Sequence, residues 1–167
     1  MNKEKKGFDT RAIHAGQKND PVTGAVMTPI YATSTYAQES PGVHKGYEYS
    51  RTSNPTRKAL EDCIASLENG DQGFAFASGM AATSTILELL DSGDHVIASD
   101  DLYGGTYRLM EDVRKRTSSL DFSFVDFSKT SNILDAIKPN TKMLWLETPS
   151  NPLLKITDLE EIVDRKS

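Results

Sequence analysis

His95-Val96-Ile97-Ala98-Ser99-Asp100-Asp101-Leu102-Tyr103-Gly104-Gly105 passes from an apolar run, through two acids and an aromatic, to a pair of glycines. A short apolar run bounded by turn residues reads as a buried strand, and the glycines open the next element. The pattern recurs on both sides. Downstream, a helix is expected from about Gly105 to Arg116, then a strand over Phe122 to Phe127 and a short helix carrying Ile133, Ala136 and Ile137. A strand over Met143 to Glu147 and a last helix using Leu159, Ile162 and Val163 follow. Upstream, a helix over Gly79 to Asp91 is stopped by Gly93, and a strand lies near Gly73 to Ala77. Earlier still, Asn54-Pro55 sets an Asn cap ahead of Pro at the first helical position. It opens a helix with Leu60, Cys63, Ile64 and Leu67 on one face and Gly70 at its end. Short apolar strands alternating with amphipathic helices imply crossover connections and a mainly parallel sheet covered by helices on both faces, so the expected class is α/β. Ligands in such sheets sit beyond the carboxyl ends of the strands, which makes the residues after each strand the candidates.

From Met1 to about Asn54 the chain is rich in Gly, Pro, Ser, Thr and Tyr, and Pro21, Pro29 and Pro41 interrupt any periodicity. The expected organisation is an irregular amino-terminal arm over residues 1–54, unable to fold alone and suited to wrapping its parent domain or a partner subunit, followed by an α/β domain over 55–167. The last helix runs into Asp164-Arg165-Lys166-Ser167 with no tail composition, which reads as a cut through a longer domain. With 167 residues, 37% hydrophobic and 26% charged, the composition is that of a soluble globular unit. A net charge of -5 and a pI near 5.2 give no attraction for nucleic acid or anionic membrane. Positive residues are scattered apart from Lys3, Lys5 and Lys6, so a small-molecule role is favoured. The single Cys63 excludes an internal disulfide, and His14, His44 and His95 show no metal spacing, so no metal is expected. The charged start lacks a signal-peptide core and no window approaches a membrane span, which fits a cytoplasmic protein.

Four segments carry candidate chemistry. In Ala77-Ser78-Gly79-Met80, Gly79 lets backbone approach a ligand where the next helix begins with free N–H groups, an anion cradle that Ser78 can both cap and extend. By itself it is also what any capped helix after a tight turn looks like. Tyr103 offers a flat ring for stacking at a strand end, or is an ordinary half-buried tyrosine, and Asp100 and Asp101 are expected to cap the following turn. In Glu147-Thr148-Pro149-Ser150-Asn151-Pro152 two prolines hold Asn151 at the same sheet edge, or simply shape a loop. In Tyr49-Ser50-Arg51 the guanidinium presents a planar fork suited to phosphate, or closes a surface salt bridge.

Taken in order, Tyr49-Ser50-Arg51, Asn54-Pro55-Thr56, Ala77-Ser78-Gly79-Met80, Asp101-Leu102-Tyr103-Gly104-Gly105-Thr106 and Glu147-Thr148-Pro149-Ser150-Asn151-Pro152 closely resemble the Cys/Met-metabolism, or trans-sulfuration, enzymes that depend on pyridoxal 5'-phosphate (PLP). That family includes cystathionine γ-lyase, cystathionine γ-synthase and cystathionine β-lyase. The resemblance runs from Ile13-His14-Ala15-Gly16 to the last helix, and five motifs in order are far more specific than any one. It implies the large domain of fold type I, present only in its first part. Gly79 and Met80 would give backbone amides, with Ser78, to the cofactor phosphate. Tyr49 and Arg51 would bind the phosphate of a neighbouring subunit, in a homo-oligomer that is a dimer of active dimers. Tyr103 would stack on the pyridine ring and, when ionised, assist proton movement at the substrate amine. Asn151 would lie near the ring hydroxyl and the substrate carboxylate, with Glu147 supporting that edge and Arg108 a lesser candidate.

The implied chemistry is removal of the substrate α-proton and departure of a sulfur-bearing group from a small sulfur amino acid, with cystathionine γ-elimination ahead of γ-replacement and β-elimination. Gly105 favours that order, because methionine γ-lyases often carry a cysteine there. The cofactor-bearing lysine of the family lies beyond Ser167, and neither Lys142 nor Lys155 has the Ser-x-Thr-Lys setting it requires. The rival readings are a catalytically incomplete fragment and another α/β phosphate binder. The Gly-x-Gly-x-x-Gly and Walker patterns that the second needs are absent.

Overall fold

The computed structural model describes residues 6–164. Lys3 and Lys5 of the basic start, and the Arg165-Lys166-Ser167 end, lie outside them. The chain divides into two compact units between Phe76 and Ala77.

In the second unit all five residues of β1 (His95–Ser99) are buried. The reason is its place: β2 (Asp121–Val125) and β3 (Thr141–Trp145) pair with it on either edge, both parallel, in the order β2-β1-β3. Alternate residues of β1 then face opposite layers, as the period of a strand demands. Val96 and Ala98 pack with Leu87, Leu102, Met110, Leu120 and Phe122, and Ile97 packs with Phe127, Ile133 and Ile162. Leu87 ends α3 (Gly79–Leu87), Ile133 belongs to α6 (Thr130–Ala136) and Ile162 to α7 (Leu159–Asp164). Each fully buried aliphatic or aromatic side chain contributes about 1.5–3 kcal/mol, so two apolar layers on one strand make β1 the anchor of the unit.

Between β1 and β2 the expected helix forms as α4 (Gly104–Arg108), a π-helical segment Leu109–Arg114 and α5 (Lys115–Thr117). Met110, in the widened segment, is fully buried. Strands β2 and β3 each end two residues earlier than their apolar runs suggest. Phe127 therefore enters the core from a loop, 4% exposed, and Glu147 sits past the strand end where ligand groups belong. Among the described residues no helix is long and apolar enough to cross a membrane.

His95 opens β1 with 0% exposure, its Nδ1 2.7 Å from Thr141 Oγ1 and its Nε2 2.9 Å from Ser123 Oγ. Burial, helped by the Lys138 ammonium and opposed by Asp121, holds its pKa below the ordinary 6.5. Between the folded and unfolded values the unfolded chain binds the extra proton. Stability is therefore fully present above about pH 6.5 and falls as the solution is acidified through that value, by at most about 1.4 kcal/mol per pH unit for one group. Urea midpoints measured from pH 7.5 to 5.5 are expected to show this loss, and His95→Gln to flatten it. An equal slope in the variant removes His95 as the cause.

The first unit carries α1 (Phe8–His14) and α2 (Pro55–Leu67). Asn54 caps α2 as expected, its Oδ1 accepting from the Thr56 and Arg57 amides. Helix α1 falls in the stretch read as irregular. Asp9 near its start and Arg11 and His14 at its end suit the helix dipole, and Arg11 donates to the Ser66 carbonyl of α2. The pairing is close because Gly16, at φ +74°, has no side chain: a Cβ there would stand 2.1 Å from the Ala59 carbonyl oxygen. The apolar face expected of α2 is not buried within the unit, with Leu60 55% and Ile64 46% exposed, and Ala65 is the one buried hydrophobic residue among those described. The strand expected near Gly73 to Ala77 does not form, because no described strand pairs with it. The segment is docked on α2 instead: the Ala75 amide donates to Glu61 Oε1 at 3.1 Å, and a Cβ on Gly73 would lie 2.3 Å from the Glu61 carbonyl oxygen.

Candidate functional site

In the order β2-β1-β3, the chain leaves β1 for one neighbour and later returns to the other. The loops after β1 and β3 therefore part to opposite faces, which leaves a crevice at the carboxyl ends of these two strands. Both loops bring candidate residues there, and α3 points its amino terminus at the same place. Ser78, Gly79, Met80, Thr83, Tyr103, Thr106 and Glu147 line a cleft of about 420 Å³.

The α3 end of the cleft is built to take negative charge. Ser78 Oγ accepts from the Ala81 amide at 3.1 Å and the Ser78 carbonyl accepts from Ala82 at 3.1 Å, so the Gly79 and Met80 amides have no described acceptor. Free amides at a helix start are the usual seat of a phosphate. A Cβ on Gly79 would meet nothing within 4 Å, which shows open space where a ligand must approach. Thr83 points inward, its hydroxyl donating to the Gly79 carbonyl at 3.0 Å.

Opposite, Tyr103 is 51% exposed and precedes α4, while its amide donates to Glu147 Oε2 at 3.0 Å. Its ring lies over Gly105, where a Cβ would come within 2.5 Å of Tyr103 Cε1 and 3.1 Å of Met80 Sδ. The glycine of the Gly104-Gly105 pair thus clears room for the ring, a role independent of which bond is broken in a substrate. Asn151 is exposed in the loop after β3, between cis peptide bonds at Thr148-Pro149 and Asn151-Pro152, and does not line the cleft. Arg108 is exposed and does not line it either.

Asp100 and Asp101 do not cap α4. Asp101, 7% exposed, accepts through Oδ2 from the Ser150 hydroxyl and from the Leu153 amide at 2.8 Å. Lys155 Nζ reaches Asp100 at 2.9 Å and Asp126 at 3.6 Å, tying together the segments that follow all three strands. Its bond to Asp100, with further attraction from Asp126 and Asp101, raises its pKa above the ordinary lysine value. A lysine so held stays an ammonium, the reverse of an amine ready to attack a carbonyl. These partners sit 29 to 55 residues apart in the chain, so no local pattern could have revealed them.

Tyr49 and Arg51 belong to the first unit. The Arg51 guanidinium lies 4.8 Å over the Tyr49 ring and is exposed, with no carboxylate partner among the described residues, so the salt-bridge alternative is not realised. The turn that carries them is braced by Arg57, which the sequence did not single out: its guanidinium donates to the Ser50 carbonyl at 3.2 Å and the Thr52 carbonyl at 2.8 Å. Among the described residues no cluster of three or more His, Cys, Asp and Glu could hold a metal.

A parallel α/β sheet with unpartnered helix-start amides and an exposed aromatic at its switch point has the form of a class of cofactor-binding domains. Within that class, residues 9–166 match the family model described as Cys/Met metabolism PLP-dependent enzyme, and the chain belongs to that family. It is 66% identical over 163 residues to cystathionine β-lyase of Coxiella burnetii, covering 98% of this chain and 42% of that protein. It is 54% identical over 155 residues to cystathionine γ-lyase of Bacillus subtilis, covering 93% of this chain and 41% of the relative. The crystal structure of cystathionine γ-lyase from Lactobacillus plantarum complexed with L-serine superposes with a TM-score of 0.90 at 48% identity, covering 95% of this chain and 41% of that one. The chain thus spans about two fifths of the length of these relatives.

Proposed function

We propose that the cleft holds PLP and that a protein of the relatives' length carrying this stretch breaks the carbon–sulfur bond of cystathionine. The observation that carries the reading is the pairing of two unpartnered amides at the start of α3 with an exposed Tyr103 in one cleft. A phosphorylated flat ring needs both, an anion seat and an aromatic face, so the residues present fit the group. Gly79 and Met80 would donate their amides to the phosphate and Ser78 its hydroxyl, while Tyr103 would cover the ring. Bound there, PLP supplies an electron sink for the charge left when the substrate loses its α-proton.

The remaining roles belong to the chain. Glu147 fixes the Tyr103 backbone and thereby the height of the ring over the cleft. When ionised, Tyr103 would take a proton from an incoming amine through its phenolic oxygen, a role supported by the half-exposed side chain. Asn151 would meet the substrate carboxylate from the loop after β3. Tyr49 and Arg51 would reach the phosphate of a neighbouring subunit in a homo-oligomer, a role supported by the free guanidinium fork and by the poor core of the first unit. Such a protein would work in the cytoplasm.

Gly105 is accounted for by the Tyr103 ring and says little about the leaving group, whereas the 66% identical relative is a β-lyase. Product analysis separates the two eliminations: pyruvate from cystathionine marks β-elimination and 2-oxobutyrate γ-elimination. Formation of neither overturns the proposal. Borohydride reduction of the PLP-loaded protein, followed by peptide mapping, is expected to leave Lys142 and Lys155 unlabelled. A label on Lys155 overturns the assignment of that lysine as a permanent ammonium.

A further inference from the structure

We propose that Asp101 is a positioning residue for the cleft, locking the loop that carries Tyr103 to the loop that carries Glu147 and Asn151. The inference rests on the PLP reading only for its consequence and not for its geometry. Two loops far apart in sequence are stitched twice, in opposite senses. Asp101, two residues before Tyr103, reaches across to accept from the Ser150 hydroxyl and the Leu153 amide. Glu147, three residues before Ser150, reaches back to accept from the Tyr103 amide. Each loop thus supplies a carboxylate to the other.

Burial makes the first stitch strong. Asp101 is 7% and Ser150 3% exposed, so water does not replace either partner once the pair is broken. Ser150 Oγ also accepts from the Lys155 amide at 2.8 Å, and the Ser150 amide donates to the Lys155 carbonyl at 2.9 Å. The Asp101 carboxylate therefore holds a closed turn, Ser150 to Lys155, rather than one flexible side chain. With that turn fixed, Glu147 has one place from which to meet the Tyr103 amide. The carboxylate takes both donors on a single oxygen, Oδ2. A carboxamide oxygen can do the same, so asparagine is a conservative replacement and alanine is not.

Amide hydrogen exchange on the cofactor-free protein reads the clamp directly, with PLP titration as the second measurement. Asp101→Ala is expected to speed exchange at the Tyr103 amide by about tenfold or more while Val96, Ile97 and Ala98 in β1 keep their protection. PLP affinity should weaken by about tenfold, the loss expected for leaving buried donors unpaired. Asp101→Asn should restore most of both. Ser150→Ala, which removes one of the two donors, should move both readouts the same way by less. Unchanged exchange at Tyr103 in Asp101→Ala and Ser150→Ala overturns the proposal, and so does a rise that β1 shares in proportion, which marks general destabilisation. Wild-type protein that fails to bind PLP overturns the functional reading instead, and the exchange pattern still decides the clamp.

Discussion

Gly16→Ala is expected to lower the stability of the first unit by about 2–4 kcal/mol, the sum of a left-handed backbone forced on alanine and a collision with α2. The two contributions can be separated within this chain. Gly24 has nearly the same backbone, φ +73° against +74°, but a Cβ on Gly24 would meet nothing within 4 Å. Gly24→Ala therefore measures the conformational strain alone, about 1 kcal/mol. At Gly16 the added carbon would lie 2.1 Å from the Ala59 carbonyl oxygen and 3.0 Å from the Cys63 amide nitrogen. Both are backbone atoms of a helix and cannot swing aside. Relief requires α1 and α2 to part, which also breaks the Arg11 bond to the Ser66 carbonyl. With Ala65 the one buried hydrophobic residue described in this unit, little else holds the pair. Proteolysis within residues 6–76, or loss of protection at the α2 amides, is the measurement. Equal effects from Gly16→Ala and Gly24→Ala show that the contact with α2 contributes nothing.

What the sequence disclosed follows the range of the forces involved. The elements of the second unit, and α2 of the first, were legible because strand burial and helix caps are written locally: the apolar run His95–Ser99, the Ser78 cap and the Asn54-Pro55 start each act within four residues. The strand near Gly73 to Ala77 was misread because a strand exists only with a neighbour, and its apolar residues instead lie against α2 or in solvent, with Phe74 72% exposed. Helix α1 was missed for the opposite reason. Its seven residues are too few to form a stable helix alone, and what holds them is Gly16 meeting α2 more than forty residues later. At the site, Ser78, Gly79, Met80, Tyr103 and Glu147 were nameable one by one and do line one cleft. Asp101 was assigned to the wrong partner, since a cap is a local guess and Ser150 is 49 residues away.

Removing the Tyr103 ring is expected to cost the cofactor about 10- to 100-fold in affinity, because stacking on a flat heteroaromatic ring is worth about 1–3 kcal/mol. Three substitutions distinguish the ring, its placement and its hydroxyl. Tyr103→Ala deletes the face and should show the full loss in a PLP titration followed by absorbance. Gly105→Ala leaves the tyrosine intact but puts a carbon 2.5 Å from Cε1, so the ring must swing away. The atoms it strikes are the ends of the Tyr103 and Met80 side chains, which can move, so folding stability should change by less than about 1 kcal/mol while affinity falls toward that of Tyr103→Ala. Tyr103→Phe keeps the ring and its position, since the link to Glu147 is made by the backbone amide and survives the change. Affinity in Tyr103→Phe should therefore stay within about threefold of wild type. Turnover of cystathionine should drop by about 10²-fold or more if the hydroxyl moves a proton. Full affinity in Tyr103→Ala removes the ring from the cofactor site. Full turnover in Tyr103→Phe, with affinity retained, leaves the ring as a stacking surface and passes proton movement to another group.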